Sequence, residues 1–214
     1  MDWEGLRDRI KTDFDAKNAT REEVLKTCRS LVQTSSYVIR SVHRGEKEEA
    51  LQLMEQAAEL SASITHMTQD HPEVYTAGFV HDAQKEYAEA KATHALINGE
   101  ALPSPEEIGV EYPAYLNGLG EAVGELRRSI LDLIREGHLE RGDELLSYMD
   151  DIYYLLVSFD YPDAITGGLR RTTDMARAIM ERTRGDLTTT LRQSKLKQAI
   201  FELESNLKKT GKIE

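Results

Sequence analysis

The chain has 214 residues, 40% hydrophobic and 30% charged, a balance that excludes intrinsic disorder and suits one substantial domain spanning 1–214. Lys+Arg 27 against Asp+Glu 38 gives a net charge of -11, which excludes a uniformly basic nucleic-acid coat. The single cysteine, Cys28, excludes an intramolecular disulfide and a cysteine zinc cluster, and fits a reducing cytoplasm. Met1-Asp2-Trp3-Glu4 shows no basic-then-apolar leader pattern. No apolar run approaches the roughly 20 residues of a membrane helix, so a cytoplasmic location is expected.

Apolar spacing is helical nearly everywhere. Residues 3–16 read as a short first helix. Thr20 with Glu23 three residues later forms a capping-box pattern that starts a second helix running to Arg44, ended by Gly45. A third helix covers 46–68 and is broken by Asp70-His71-Pro72. The fourth, 73–98, carries Phe79, Ala83, Tyr87, Ala90, His94 and Ile97 on one face and stops at Gly99. Pro103 to Glu107 is a loop with a short turn. The fifth helix, 114–136, has Leu116, Leu119, Val123, Leu126, Ile130 and Leu133 as its stripe. The sixth runs 138–158. A C-terminal stretch follows Gly167-Gly168, with an interruption expected at Gly185-Asp186 and fraying after Thr210-Gly211. The expected fold is all-α, a single antiparallel bundle of about seven helices.

Charge is uneven. Segment 169–198 holds Arg170, Arg171, Arg177, Arg182, Arg184, Arg192, Lys195 and Lys197 against Asp174, Glu181 and Asp186, whereas the chain before it is strongly acidic. Such a block either holds a polyanion or is a solvated helix face. Two carboxylate pairs stand out. Glu86 and Glu89 are three apart, about 60° around their helix; Glu121 and Glu125 are four apart, about 40° around theirs. Each pair shares one face. Hard oxygen ligands of this kind suit Mg²⁺ or Mn²⁺. Against this, Glu121 and Glu125 lie nearly opposite the apolar stripe, the ordinary solvated side of an amphipathic helix. Glu86 borders its stripe and should be half-buried. No Glu is followed by His three residues later, so a di-iron bundle is excluded. All-α nucleotide pyrophosphatases pair Glu-x-x-Glu with a later Glu-x-x-Asp; no Glu-x-x-Asp follows in 114–136, which weakens that alternative. The six histidines show no metal spacing, and His94 reads as a core residue.

Gln84-Lys85-Glu86-Tyr87-Ala88-Glu89-Ala90 resembles the Gln-Glu-Tyr-Val-Glu-Ala run of the translin/Trax family, with Lys85 inserted between Gln and Glu. Ile108-Gly109-Val110-Glu111, followed by Tyr115-Leu116-Asn117-Gly118-Leu119-Gly120-Glu121-Ala122-Val123-Gly124-Glu125-Leu126-Arg127-Arg128, is similar to that family's Leu-Gly-Ile-Glu and Tyr-Leu-x-Gly-x-x-Asp-x-x-Gly-Glu-Leu-x-Arg. Order and gap match as well, and the likeness extends from about Glu22 to Thr188. It implies an all-α fold and closed octameric shells that enclose RNA. It also implies, for the Trax branch, Mg²⁺-dependent endoribonuclease activity. The Trax acidic set falls on Glu86, Glu89, Glu121 and Glu125, with Glu121 in place of the family's Asp. The full set points to the catalytic branch. Absence of the long Trax insertion and basic extension points to a compact, self-assembling prokaryotic type.

The expected function is therefore metal-dependent cleavage of short RNA inside a homo-oligomeric shell, with Mg²⁺ (or Mn²⁺) held by the four glutamates. Arg127, Arg128, Arg170 and Arg171 are the expected phosphate contacts. Tyr153, Leu156 and Phe159 are candidate subunit contacts. The alternative is a non-catalytic translin-type shell that binds RNA or single-stranded DNA.

Overall fold

In a computed structural model, residues 2–209 are described, and all the regular structure among them is helical. The elements are α1 (Trp3–Arg44), α2 (Lys47–Met67), α3 (Pro72–Tyr75), α4 (Gly78–Asn98), α5 (Pro105–Ile108), α6 (Tyr112–Glu136), α7 (Leu139–Val157), α8 (Asp163–Thr166) and α9 (Leu169–Lys209). Six are long and three are single turns. Among the described residues, no helix is long and apolar enough to cross a membrane.

Two expected breaks are absent. Residues 3–44 form one helix, and Asp2, not Thr20, caps it by accepting from the Gly5 amide at 2.9 Å. Asn18 and Thr20 cost only tenths of a kcal/mol in a helix interior, less than about 0.7 each, and neither Gly nor Pro lies between Ala16 and Glu23 to stop propagation. Lys17 then ties Asp13 one turn back to Glu73 at the start of α3. Gly185 likewise sits inside α9. The helix is pinned on both sides of it, by Thr183 and Asp186, which both bind Arg127, and by buried Leu187. The expected fraying after Thr210-Gly211 lies outside the described residues. The expected helix 73–98 divides at Thr76-Ala77 into α3 and α4.

Left-handed Gly45 and Gly137 let α2 double back on α1 and α7 on α6, giving the antiparallel hairpins. Helices α2 and α7 bring the chain back to the end where α4 and α9 begin, and the connection 99–111 returns it before α6, so α4, α6 and α9 run the same way. Asn117 of α6 meets Thr172 of α9, and Arg127 meets Thr183 and Asp186. The end of α4 reaches Arg141, just beyond the end of α6.

Helix α6 is the axis of the bundle. Its Leu119, Val123, Leu126 and Ile130 are fully buried with Tyr87 of α4, Leu145 and Met149 of α7, and Leu187 of α9. Leu156 belongs to this core at 1% exposure, packed near Gly120, and so cannot serve as the subunit contact expected of it. Tyr153 is half-buried and Phe159 exposed. The outer turns are different. Trp3, Leu6, Ile10 and Phe14 of α1, and Leu196, Ile200, Phe201 and Leu203 of α9, stand in solvent on helices that outrun the bundle.

A second packing face of α6 is made by what it lacks. A Cβ on Gly118 would lie 2.6 Å from the Lys85 carbonyl oxygen, 2.8 Å from the Ala88 Cβ and 2.9 Å from the Glu89 amide nitrogen. The α4 backbone therefore rests directly on Gly118. Gly124, six residues on, has open space where its Cβ would be. Gly118→Ala should therefore destabilise the fold by about 1–3 kcal/mol through forced separation of α4 and α6. Gly124→Ala should stabilise it by up to about 1 kcal/mol through helix propensity. Urea unfolding of both variants checks the pair, and equal effects would contradict the packing account.

Candidate functional site

The contact at Gly118 places Lys85, Glu86 and Glu89 of α4 beside Glu121 of α6. One carboxylate oxygen from each of Glu86, Glu89 and Glu121 lies within 4.8 Å of the others. Two ligands on opposite sides of a Mg²⁺ ion lie about 4.2 Å apart, twice the usual Mg–O distance. An all-carboxylate set without His or Cys is also the donor chemistry that Mg²⁺ and Mn²⁺ prefer. The 4.8 Å limit is slightly wider than that span, so the three side chains could hold such an ion by closing a little around it.

Burial and like charge act on the two α4 carboxyls of the cluster. Glu89 is set deepest of the three. Burial, reinforced by the charges of Glu86, Glu121 and Glu125, pushes its carboxyl up to about 8. Glu86 is also raised, by burial first and then by Glu121 and Asp82, against the opposing pull of Lys85. The Lys85 ammonium donates to Glu121 at 2.7 Å and lies 3.5 Å from Glu86. Burial alone would lower its pKa, but the two carboxylates outweigh that and raise it.

Glu125 is not in the three-carboxylate group. Its Oε2 is 2.5 Å from Nε2 of His43, the penultimate residue of α1, and 3.8 Å from Arg128. The His43 ring is buried and its Nδ1 faces Ser129 at 3.4 Å. This hydrogen bond holds the Glu125 carboxyl below the usual carboxylate range against the effect of burial. Glu121 and Glu125 are thus not on a solvated face: their side chains are about one-quarter exposed, at 27% and 26%.

The four arginines divide. Arg127 is tied into the bundle by Thr183 at 3.0 Å and Asp186 at 2.8 Å. Arg128 is 58% exposed beside Glu125. Arg170 and Arg171 are exposed at the start of α9. His43 and Lys85 were not legible as site residues. His43 sits 82 positions from its partner. Lys85 did carry one signal, its place one turn before Glu89 on the same helix face.

A raised carboxyl makes the folded chain bind a proton that the unfolded chain has lost. In the metal-free protein, stability should fall as pH rises from about 4.5, the ordinary value, to about 8 for Glu89. Glu86 adds the same sign, whereas the lowered Glu125 acts only at more acidic pH. Thermal unfolding in EDTA should show this decline, and Glu89→Gln should remove most of it. An unchanged pH slope in the variant would contradict the burial of an ionisable Glu89.

No family profile matches the chain. It is 27% identical over 192 residues to an uncharacterized protein of Methanocaldococcus jannaschii, covering 89% of this chain and 85% of that one. Among solved structures it superposes on the AfC3PO–duplex RNA complex with a TM-score of 0.80 and 34% identity, covering 90% of this chain and 98% of the other. AfC3PO alone gives 0.79 and 35% over the same shares. Apo-NeC3PO gives 0.77 and 22%, covering 86% of this chain and 96% of that one, which supports the fold alone. With translin-type runs on both α4 and α6 and this identity over nearly the whole of both chains, the protein belongs to the translin/C3PO family as a compact, Trax-like homologue.

Proposed function

We propose that the protein is a divalent-metal-dependent endoribonuclease that cleaves short RNA enclosed by a closed shell of its own copies, eight by family likeness. The observation that carries this is the meeting of Glu86, Glu89 and Glu121 from two helices within 4.8 Å. The likeness to a structure holding duplex RNA supports RNA as the substrate class.

Glu86, Glu89 and Glu121 would hold the ion. When bound, Mg²⁺ or Mn²⁺ supplies positive charge at the scissile phosphate and acidifies water. Glu125 stays ionised through the His43 hydrogen bond and is the carboxylate available to take the proton of the attacking water. Arg128 is exposed next to it and would hold a neighbouring phosphate, with Arg170 and Arg171 farther along. Arg127 would reach RNA only by leaving Asp186. Closure into a shell would cover exposed apolar surface: Tyr112, Leu155, Phe159, Tyr161 and Ile165 line one groove, and the outer turns of α1 and α9 present two further stripes.

A translin-type binding shell without catalysis is the second reading. It is favoured by Lys85, which already neutralises part of the acidic cluster. Labelled RNA separates the two. Fragments should form with Mg²⁺ and not with EDTA, and Glu86→Gln, Glu89→Gln and Glu125→Gln should each lower cleavage at least about a hundredfold while RNA affinity is retained. Glu121→Asp should stay active and Glu121→Gln should not. Cleavage that persists in the triple Gln variant would leave the binding shell as the function. A monodisperse species of 24.2 kDa in solution would exclude the shell itself.

A further inference from the structure

The acidic cluster already contains a cation. The Lys85 ammonium lies 2.7 Å from Glu121 and 3.5 Å from Glu86, two of the three carboxylates placed to hold a metal. The other cations nearby are engaged elsewhere, Arg128 at Glu125 and Arg127 at Asp186. Resting on the metal-centre reading above, we propose that Lys85 is an exchangeable counter-cation and a catalytic residue. It clamps the carboxylates when no metal is bound, yields them to the divalent ion, and then contacts the phosphate under attack.

First, an ammonium and a divalent ion cannot both bind Glu86 and Glu121 at full strength, because their mutual repulsion at a few ångströms is large in a half-buried site. The lysine stem is long and flexible, and its side chain keeps 21% exposure, so the ammonium has a route out toward solvent and substrate. Second, charge balance favours keeping it close. Three ionised carboxylates and a divalent ion leave one net negative charge facing an anionic phosphodiester. With the Lys85 ammonium at the rim that excess vanishes, and the displaced donor has a phosphate oxygen as its nearest new acceptor. The place of Lys85 directly before Glu86, one turn before Glu89 on α4, puts the ammonium at this position.

Loss of the Lys85 charge should move metal affinity and cleavage in opposite directions, which damage to the fold would not do. Mn²⁺ binding to the full chain is measured by titration calorimetry, and RNA cleavage at saturating Mg²⁺ by single turnover. Lys85→Met and Lys85→Gln should each bind Mn²⁺ about tenfold more tightly, because the competitor is gone. Each should cleave RNA at least about tenfold more slowly. Lys85→Arg, which keeps the charge, should stay within about threefold of wild type in both. Neutral variants with unchanged or weaker Mn²⁺ binding, or with undiminished cleavage, would overturn the proposal. Failure of the underlying nuclease reading looks different, since wild type would then release no fragments under Mg²⁺.

Discussion

The backbone contact between α4 and α6 at Gly118 is the constraint on which the site depends. Helices with ordinary side chains between them lie 8–10 Å or so apart. A glycine whose missing Cβ would strike a carbonyl, a methyl and an amide lets the facing backbone come closer than that. Glutamates on the flanks of both helices are thereby brought from opposite rims of one seam into a single cluster. The bundle core and the acidic site are two consequences of the same approach: Leu119 and Leu126 fill one side of α6, and the carboxylates gather along the other.

Bringing carboxylates together costs stability, and the fold manages that cost in three local ways. Glu89, the deepest, retains its proton up to about 8. Glu121 and Glu86 share the Lys85 ammonium. Glu125 is drawn off to His43 and Arg128. Each arrangement marks a group that a divalent cation or an RNA phosphate would rearrange. The three carboxylates of the cluster could thus hold a metal ion. The polar anchor at Asn117 is of the other kind. Its amide donates to Pro113 and Thr166 and accepts from Thr172, so it fixes α6 to the start of α9 with both amide hydrogens used.

The helical class, most boundaries and the α6 stripe were legible because apolar residues repeat at the helical period and Gly45, Gly99 and Gly137 punctuate them. Continuity through Asn18-Thr20 and Gly185 was not, because a capping pattern or a lone glycine is a weak local preference that tertiary anchoring overrides. The two carboxylate pairs stood out by their helical spacing and by the family likeness of the runs around them; the structure gathers Glu86, Glu89 and Glu121 and places Glu125 on His43 instead. Burial of Glu121 and Glu125 was not. A face packed through glycine carries no hydrophobic signal, so an amphipathic reading assigns it to water. His43 was hidden for a simpler reason: nothing local distinguishes a histidine in the last turn of α1 from one that only favours the helix dipole there.

The central claim is that Glu86, Glu89 and Glu121 form one hard-cation site across the α4–α6 seam. An anomalous difference map from a crystal equilibrated with Mn²⁺ tests this most directly. The expected result is a peak bounded by oxygens of those three residues, with the Lys85 ammonium moved away from Glu121. No peak there at saturating Mn²⁺, or a peak held by other residues alone, would contradict the account.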